Sequence, residues 1–400
     1  MNHAKIKVIS SGSDRMYLNR KKRLTASTDR GRCITGSVLL CAGLSLMCIS
    51  RISRTFAHWY STRIYPIWVN VTGRLMSVFP FSVSEVLLYT VLLAVILTFL
   101  RLIIRAVRKC AVKGEFLIWS SHLYVFAGVL FFLYVINCGI NYHRESFSEG
   151  SGIRIERYSA EELEGVCLWL TEEVNSRSKE VPRNTYGVMK IGGQKMPMAQ
   201  ENVQASPVKI LNKEAVRAME HLGERYPELS GYYPKPKALL VPWILSVQQL
   251  TGIYSPFTVE ANYNSGMADY NIPFTACHEL SHLRGFMQEE EANFIAFLAS
   301  TGSENIDFQY SGYLMGWRYC MNVLYQVDYE SWEEIRGKLS ERVESDFIAN
   351  RDFWDRYDGR IARAANKVND TYLKANDQSE GVESYNRMVD LIVAYKRVPD

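Results

Sequence analysis

Excess charge of one sign is almost missing from this sequence. The 46 lysines and arginines face 42 acids, a formal +4, which is too near balance for a nucleic-acid-binding surface. Charge of either sign is sparse too, at 22% against 48% hydrophobic residues, and that excludes a disordered chain. Cysteine is scarce outside the long apolar runs. Five of the eight lie in or beside those runs (Cys33, Cys41, Cys48, Cys110, Cys138), leaving Cys167, Cys277 and Cys320 elsewhere. No disulfide framework can stabilise that remainder, and each of the three is expected as a buried thiol. Internal repeats and low-complexity tracts are absent. Histidine is rare, seven in 400 residues, and none follows His282.

Hydropathy is unevenly distributed, with three apolar runs in the first 140 residues and a sequence typical of a soluble domain after them. Cys33–Ser50 is uncharged over 18 residues between Arg32 and Arg51, about the length that crosses a bilayer core. Its long leader, and the lack of a small-x-small site after Ser50, argue against a cleaved signal peptide. The second run, Val83 to about Ile104, has an uncharged centre from Val86 to Leu100 and spans if Glu85 and Arg101 snorkel to the interfaces. The third, Phe116 to about Tyr142, has aromatics at both ends where interfacial belts sit, and His122 near its start is expected at an interface.

Lysine and arginine set the orientation. They crowd the leader (Lys5, Lys7, Arg15, Arg20, Lys21, Lys22, Arg23, Arg30, Arg32) and the short link between the second and third runs (Arg105, Arg108, Lys109, Lys113). The longer segment between the first and second runs is less dense in charge. A basic cytoplasmic leader (1–32), a three-span membrane region (33–142) and an extracytoplasmic domain (143–400) are therefore expected in the cytoplasmic membrane.

Within 143–400, a capping box at Ser159-Ala160-Glu161-Glu162 opens a helix through about Ser176. Tyr186–Pro207, rich in Gly, Pro and Lys, is expected as loop with short strands. Lys213–Tyr226 is a helix stopped by Pro227, and Trp243–Leu250 a short helix or buried strand. Thr258–Ala261 is extended, and Asn262–Asn271 is turn-rich. Helices are also expected over Ser331–Ile348, Asn350–Lys374 and Gly381–Tyr395. The fold class is mainly α (α+β), three membrane helices followed by a soluble domain with a small sheet.

The chemistry concentrates in His278-Glu279-Leu280-Ser281-His282. In H-E-x-x-H on a helix, histidines at i and i+4 face one way and can hold one Zn²⁺, and the glutamate is placed to act as general base on a water. Cys277 and Leu280 fall on the far side and pack inward. A catalytic zinc usually takes three protein ligands. His58, His143 and His221 are far away in sequence, whereas Glu289, Glu290 and Glu291 follow at once. Gly285 can end the first helix in a left-handed turn, and a second helix from about Gln288 would bring an acid back. Glu289 is the favoured ligand with Asn293, one turn on, as its support; Glu291 is the alternative ligand or a supporting residue.

The pattern resembles the zincin metallopeptidases, more particularly the gluzincin arrangement of H-E-x-x-H followed by an acidic third ligand. The matching residues are His278, Glu279, His282 and Glu289-Glu290-Glu291-Ala292-Asn293, with Asn293 where aspartate is usual. The turn His282–Phe286 is also similar to the H-x-x-G turn of metzincins, whose third ligand would fall on Gln288. Pro256-Phe257-Thr258, Glu260-Ala261-Asn262, Ile272–Cys277 and Gly381–Tyr385, with the three spans, are similar to a bacterial family of uncharacterised membrane-anchored zincin-like proteins of the cell envelope.

The resemblance implies a zinc-dependent peptidase (hydrolase) with one Zn²⁺ per chain and a peptide or protein substrate, anchored in the lipid bilayer. Such enzymes place a strand beside the metal, and Thr258–Ala261 or Met267–Tyr270 is expected to supply it. Tyr310, Tyr313 and Arg318 are candidates for stabilising an oxyanion, although aromatics at that spacing with Leu314 and Trp317 also suit a core. The alternative function is a catalytically inactive zinc-binding sensor or scaffold. The sequence carries no signal for an oligomeric state.

Overall fold

The computed structural model describes residues 12–108, 112–192, 206–376, 378 and 387–397. The start of the leader, Cys110, most of the Tyr186–Pro207 tract and the Gly381–Tyr385 motif lie outside the described residues. In chain order the α-helices are α1 (Gly12–Ile52), α2 (Arg54–Trp59), α3 (Tyr65–Ser77), α4 (Val83–Val107), α5 (Lys113–Tyr134), α6 (Phe147–Gly150), α7 (Ala160–Arg177), α8 (Pro207–Arg225), α9 (Trp243–Ser246), α10 (Asn271–Leu283), α11 (Glu289–Thr301), α12 (Ile306–Val327), α13 (Tyr329–Gly337), α14 (Glu341–Asp355), α15 (Arg360–Ala375) and α16 (Arg387–Arg397). The strands are β1 (Lys237–Ala238), β2 (Gly252–Ser255) and β3 (Glu260–Tyr263). The molecule is thus mainly α with one small sheet.

Among the described residues three helices are long and apolar enough to cross a membrane: Arg30–Ile52, Val83–Val107 and Lys113–His143. These coincide with the three apolar runs. The chain divides into two compact units, Met1–Cys48 with Tyr89–Val135, and Ile49–Leu88 with Ile136–Asp400. The division therefore does not follow the contiguous 33–142 block expected from hydropathy. Residues 49–88 belong with the C-terminal residues because α3 buries Tyr65, Val69 and Gly73 there.

In the first unit, small residues let helices approach. A Cβ on Gly128 would stand 3.0 Å from the Gly36 carbonyl oxygen, the close backbone approach that small residues permit in membrane helices. Side-chain hydrogen bonds reinforce it: Arg32 Nη1 donates to Ser121 Oγ (3.1 Å), and Ser37 Oγ pairs with the Tyr124 hydroxyl (3.0 Å).

In the second unit, α10, α11 and α12 pack on one another and α7 packs on α12. Phe294, Phe297, Phe308 and Tyr310 are fully buried there. The sheet order is β1-β3-β2, β1 parallel and β2 antiparallel to β3, with Tyr254 opposite Ala261. Buried Glu260 ties this sheet to the start of α4: it accepts from the backbone N–H of Val83 (3.1 Å) and Ser84 (2.8 Å) and pairs with buried Lys237. An acid at a helix N-terminus satisfies orphan amides and suits the helix dipole.

Local signals hold where chemistry is local. Ser159 forms the expected capping box with Glu162. The segment 243–250 resolves into the short helix α9. The helix expected over Ser331–Ile348 instead breaks before Ser340, whose hydroxyl caps α14, and the one over Asn350–Lys374 breaks at Gly359. The extended segment expected at Thr258–Ala261 falls two residues later, as β3, because Val259 adopts a left-handed conformation (φ 54°).

Candidate metal centre

Helix α10 carries Pro273 in its first turn, where a missing N–H costs nothing, and ends before Gly285, which has φ 95°. That left-handed residue turns the chain so that α11 begins at Glu289. The turn is held from outside: Gln288 Nε2 donates to the Tyr142 carbonyl (2.9 Å), and the Arg144 guanidinium lies 4.0 Å from the Phe286 ring centroid. Both helices are buried almost all round, so their polar residues face one another rather than solvent.

His278 Nε2 lies 3.4 Å from one carboxylate oxygen of Glu289, and His282 Nε2 lies 3.6 Å from the other. The two imidazoles stand edge to face at 4.5 Å between centroids. Potential ligand atoms of His278, His282 and Glu289 all fall within 4.8 Å of one another. These distances exceed the usual hydrogen-bonding range of about 2.7–3.2 Å. They match the roughly 3.3–3.4 Å that separates two ligand atoms each about 2.0–2.1 Å from a tetrahedral zinc. His282 Nδ1 contacts the Phe286 carbonyl at 2.8 Å; donation there leaves Nε2 with its lone pair toward Glu289. Burial, with the charge of His278, pulls the His282 pKa down to about 4 against Glu289 and the Phe286 carbonyl, so its imidazole is neutral near pH 7. At His278 burial opposes protonation, but Glu289, Glu279 and Asn293 together raise the pKa. The donor set of two imidazoles and one carboxylate fits zinc.

Glu279 is 4% exposed, and burial pushes its pKa up to about 8, with His278 lowering it, Glu289 raising it and the Tyr254 N–H stabilising its charge. One carboxylate oxygen has no hydrogen-bond partner among the described residues. The other lies against β2: a Cβ on Gly252 would be 2.4 Å from Glu279 Oε1. Gly252 is therefore the residue that lets the acid sit at the strand. This strand is at the sheet edge, whereas the expected Thr258–Ala261 strand is the central β3 and Met267–Tyr270 is not a strand. Sequence periodicity could not identify β2 because its four residues carry no alternation of their own.

Glu291 is a correction. It lies about 200° round the helix from Glu289, and its carboxylate accepts from Ser148 N (3.1 Å) and Oγ (2.8 Å) instead of joining the cluster. Burial raises its pKa to about 7 despite those donors. Asn293 lies beside His278 and favours its charged form, so its support reaches the first histidine.

The expected oxyanion residues are elsewhere. Tyr310 is buried, its hydroxyl donating to Asp346 and accepting from Arg183 Nη2 (3.2 Å). Tyr313 packs edge-on against Trp169 and Phe297 with Arg177 over its ring. Arg318 Nη1 donates to the Tyr270 hydroxyl at 3.4 Å. Tyr319 of α12 lies nine residues, or half a turn of phase, from Tyr310. Burial, opposed by Arg318 and reinforced by Glu289, pushes its hydroxyl up to about 12, so it keeps its proton. The stripe Leu314, Trp317, Met321 and Leu324 was the available signal, since it assigns the opposite face to Tyr319.

A family model described as "Protein of unknown function (DUF3810)" matches residues 60–393. No curated protein and no solved structure matches the chain.

Proposed function

We propose that this chain, which belongs to the DUF3810 family, is a membrane-anchored zinc peptidase of the zincin type with an extracytoplasmic catalytic domain. The observation that carries the reading is the His278–His282–Glu289 triangle, whose 3.4 and 3.6 Å edges have the spacing of ligands, with Glu279 beside it.

His278, His282 and Glu289 would hold one Zn²⁺. Zinc there supplies Lewis acidity, which acidifies water and polarises a peptide carbonyl. Glu279 takes the proton from the attacking water and passes it to the departing amine. Its buried setting suits both halves of that task, because a raised pKa makes the carboxylate a better base and its conjugate acid is then stable enough to last until transfer. β2, an outer strand of the sheet, would offer backbone groups to an extended substrate, and the protonated Tyr319 hydroxyl is the candidate donor to the carbonyl oxygen.

Three features support the orientation: the spans, the dense basic leader, and the joining of 49–88 and 136–400 in one unit, which favours one side of the membrane for both. Glu279→Gln in the full chain should keep one zinc and lose peptide hydrolysis. Unchanged hydrolysis refutes the assigned base, and a wild-type protein that binds zinc and captures peptides without cutting them would instead be the sensor or scaffold.

A further inference from the structure

Helix α3 is buried on one side only. Its inward residues include Tyr65, whose hydroxyl pairs with that of Tyr254 (2.9 Å) and reaches the Leu283 carbonyl (2.8 Å). On the other side Ile67, Trp68, Val71 and Leu75, with Val78 just past the last turn, are 58, 41, 62, 58 and 76% exposed. At about 100° per residue they occupy an arc of about 100°, and exposed Arg63 and Arg74 border one edge of it. Scattered apolar side chains need no explanation, but a continuous stripe does. A helix with an apolar arc edged by arginines is suited to the plane of a membrane interface.

Position in the chain identifies the occupant. Glu85, in the first turn of α4, accepts the backbone N–H of Leu240 (2.7 Å) and Val241 (2.8 Å). Leu240, Val241 and Trp243 all have exposed side chains. An apolar loop is thus tied by two hydrogen bonds to the first turn of a helix that continues as the Val83–Val107 span. Five residues, 78–82, separate α3 from that same span, a reach of at most about 18 Å. Both apolar features therefore lie where the chain enters the bilayer.

We propose that α3 and the Leu240–Trp243 loop dock into the headgroup and upper acyl region of the membrane. Tyr65, on the inward side of α3, reaches the carbonyl of Leu283, next to His282, so α3 lies between the docked surface and the helix that carries the candidate metal residues. Resting on the peptidase reading, this geometry assigns as substrates polypeptides tethered to the membrane, cut close to where they leave it.

The test uses the full chain in liposomes of phosphatidylcholine brominated near the top of the acyl chains. Emission lost in Trp68→Phe, Trp243→Phe and, as a buried control, Trp317→Phe isolates each tryptophan. The expected result is that Trp68 and Trp243 lose at least half their emission to the brominated lipid and little to aqueous iodide, with Trp317 affected by neither. Quenching of Trp68 and Trp243 by iodide but not by brominated lipid would overturn the docking. This readout needs neither zinc nor turnover, so its failure is separate from failure of the peptidase reading. For the active protein, a lipid-anchored peptide should be cut at least tenfold faster than its free copy, and equal rates would overturn the substrate class.

Discussion

Replacing Gly252 with alanine adds one methyl group between the edge strand and the proposed general base. The new Cβ would stand 2.4 Å from Glu279 Oε1 and 2.8 Å from both Cδ and Cγ, where ordinary contact begins at 3.4 Å. Because Cγ is crowded as well as the tip, the whole carboxylate must retreat by about 1 Å. A misplacement of about 1 Å costs on the order of 100-fold in rate, or about 2.7 kcal/mol. The three atoms nearest to the new methyl all belong to Glu279 and none to His278, His282 or Glu289, so zinc content should stay at one per chain. Alanine for glycine in a strand otherwise gains roughly 0.5–1 kcal/mol from chain entropy, so any loss of thermal stability reports the clash. The assay is kcat/KM on a fluorogenic peptide beside elemental zinc analysis, with Glu279→Gln as the floor. Full turnover in Gly252→Ala, or zinc lost together with turnover, would refute the placement of Glu279 against β2.

Glu289→Ala should release the zinc, whereas Glu291→Ala should keep it and lower stability by about 1–3 kcal/mol, the cost of leaving the buried Ser148 donors without an acceptor; zinc analysis with thermal unfolding separates the two. Tyr319→Phe should lower kcat by roughly 100- to 1,000-fold with zinc retained, the size of losing an oxyanion donor. Tyr310→Phe should cost stability and spare turnover in the folded protein. Glu260→Gln would leave Lys237 buried without its charge partner, costing about 3–5 kcal/mol, to be read from denaturant unfolding.

The apolar runs were legible because a bilayer core demands about 20 consecutive apolar residues whatever lies around them. The capping box at Ser159 and the left-handed turn at Gly285 were legible for the same reason, since each is a bond or a torsion within a few residues. The break before Ser340 was missed although it is equally local: a serine cap inside a charged helical pattern looks like one more exposed residue.

H-E-x-x-H placed His278, Glu279 and His282 on one helix by spacing alone, and the short return to α11 made Glu289 reachable. Sequence could rank Glu289 above Glu291 only by phase. The Ser148 amide and hydroxyl, 143 residues away, give Glu291 its actual partner. Helical phase likewise sets Tyr319 apart from Tyr310, whose face of α12 is claimed by Arg183, from the segment after α7, and by Asp346 of α14. Spacing along one helix and the length of an apolar run are properties of the chain itself, and these the sequence determined. The neighbours of Gly252, the edge position of β2 and the union of residues 49–88 with the C-terminal unit arise from contacts distant in sequence, and these only the tertiary structure decided.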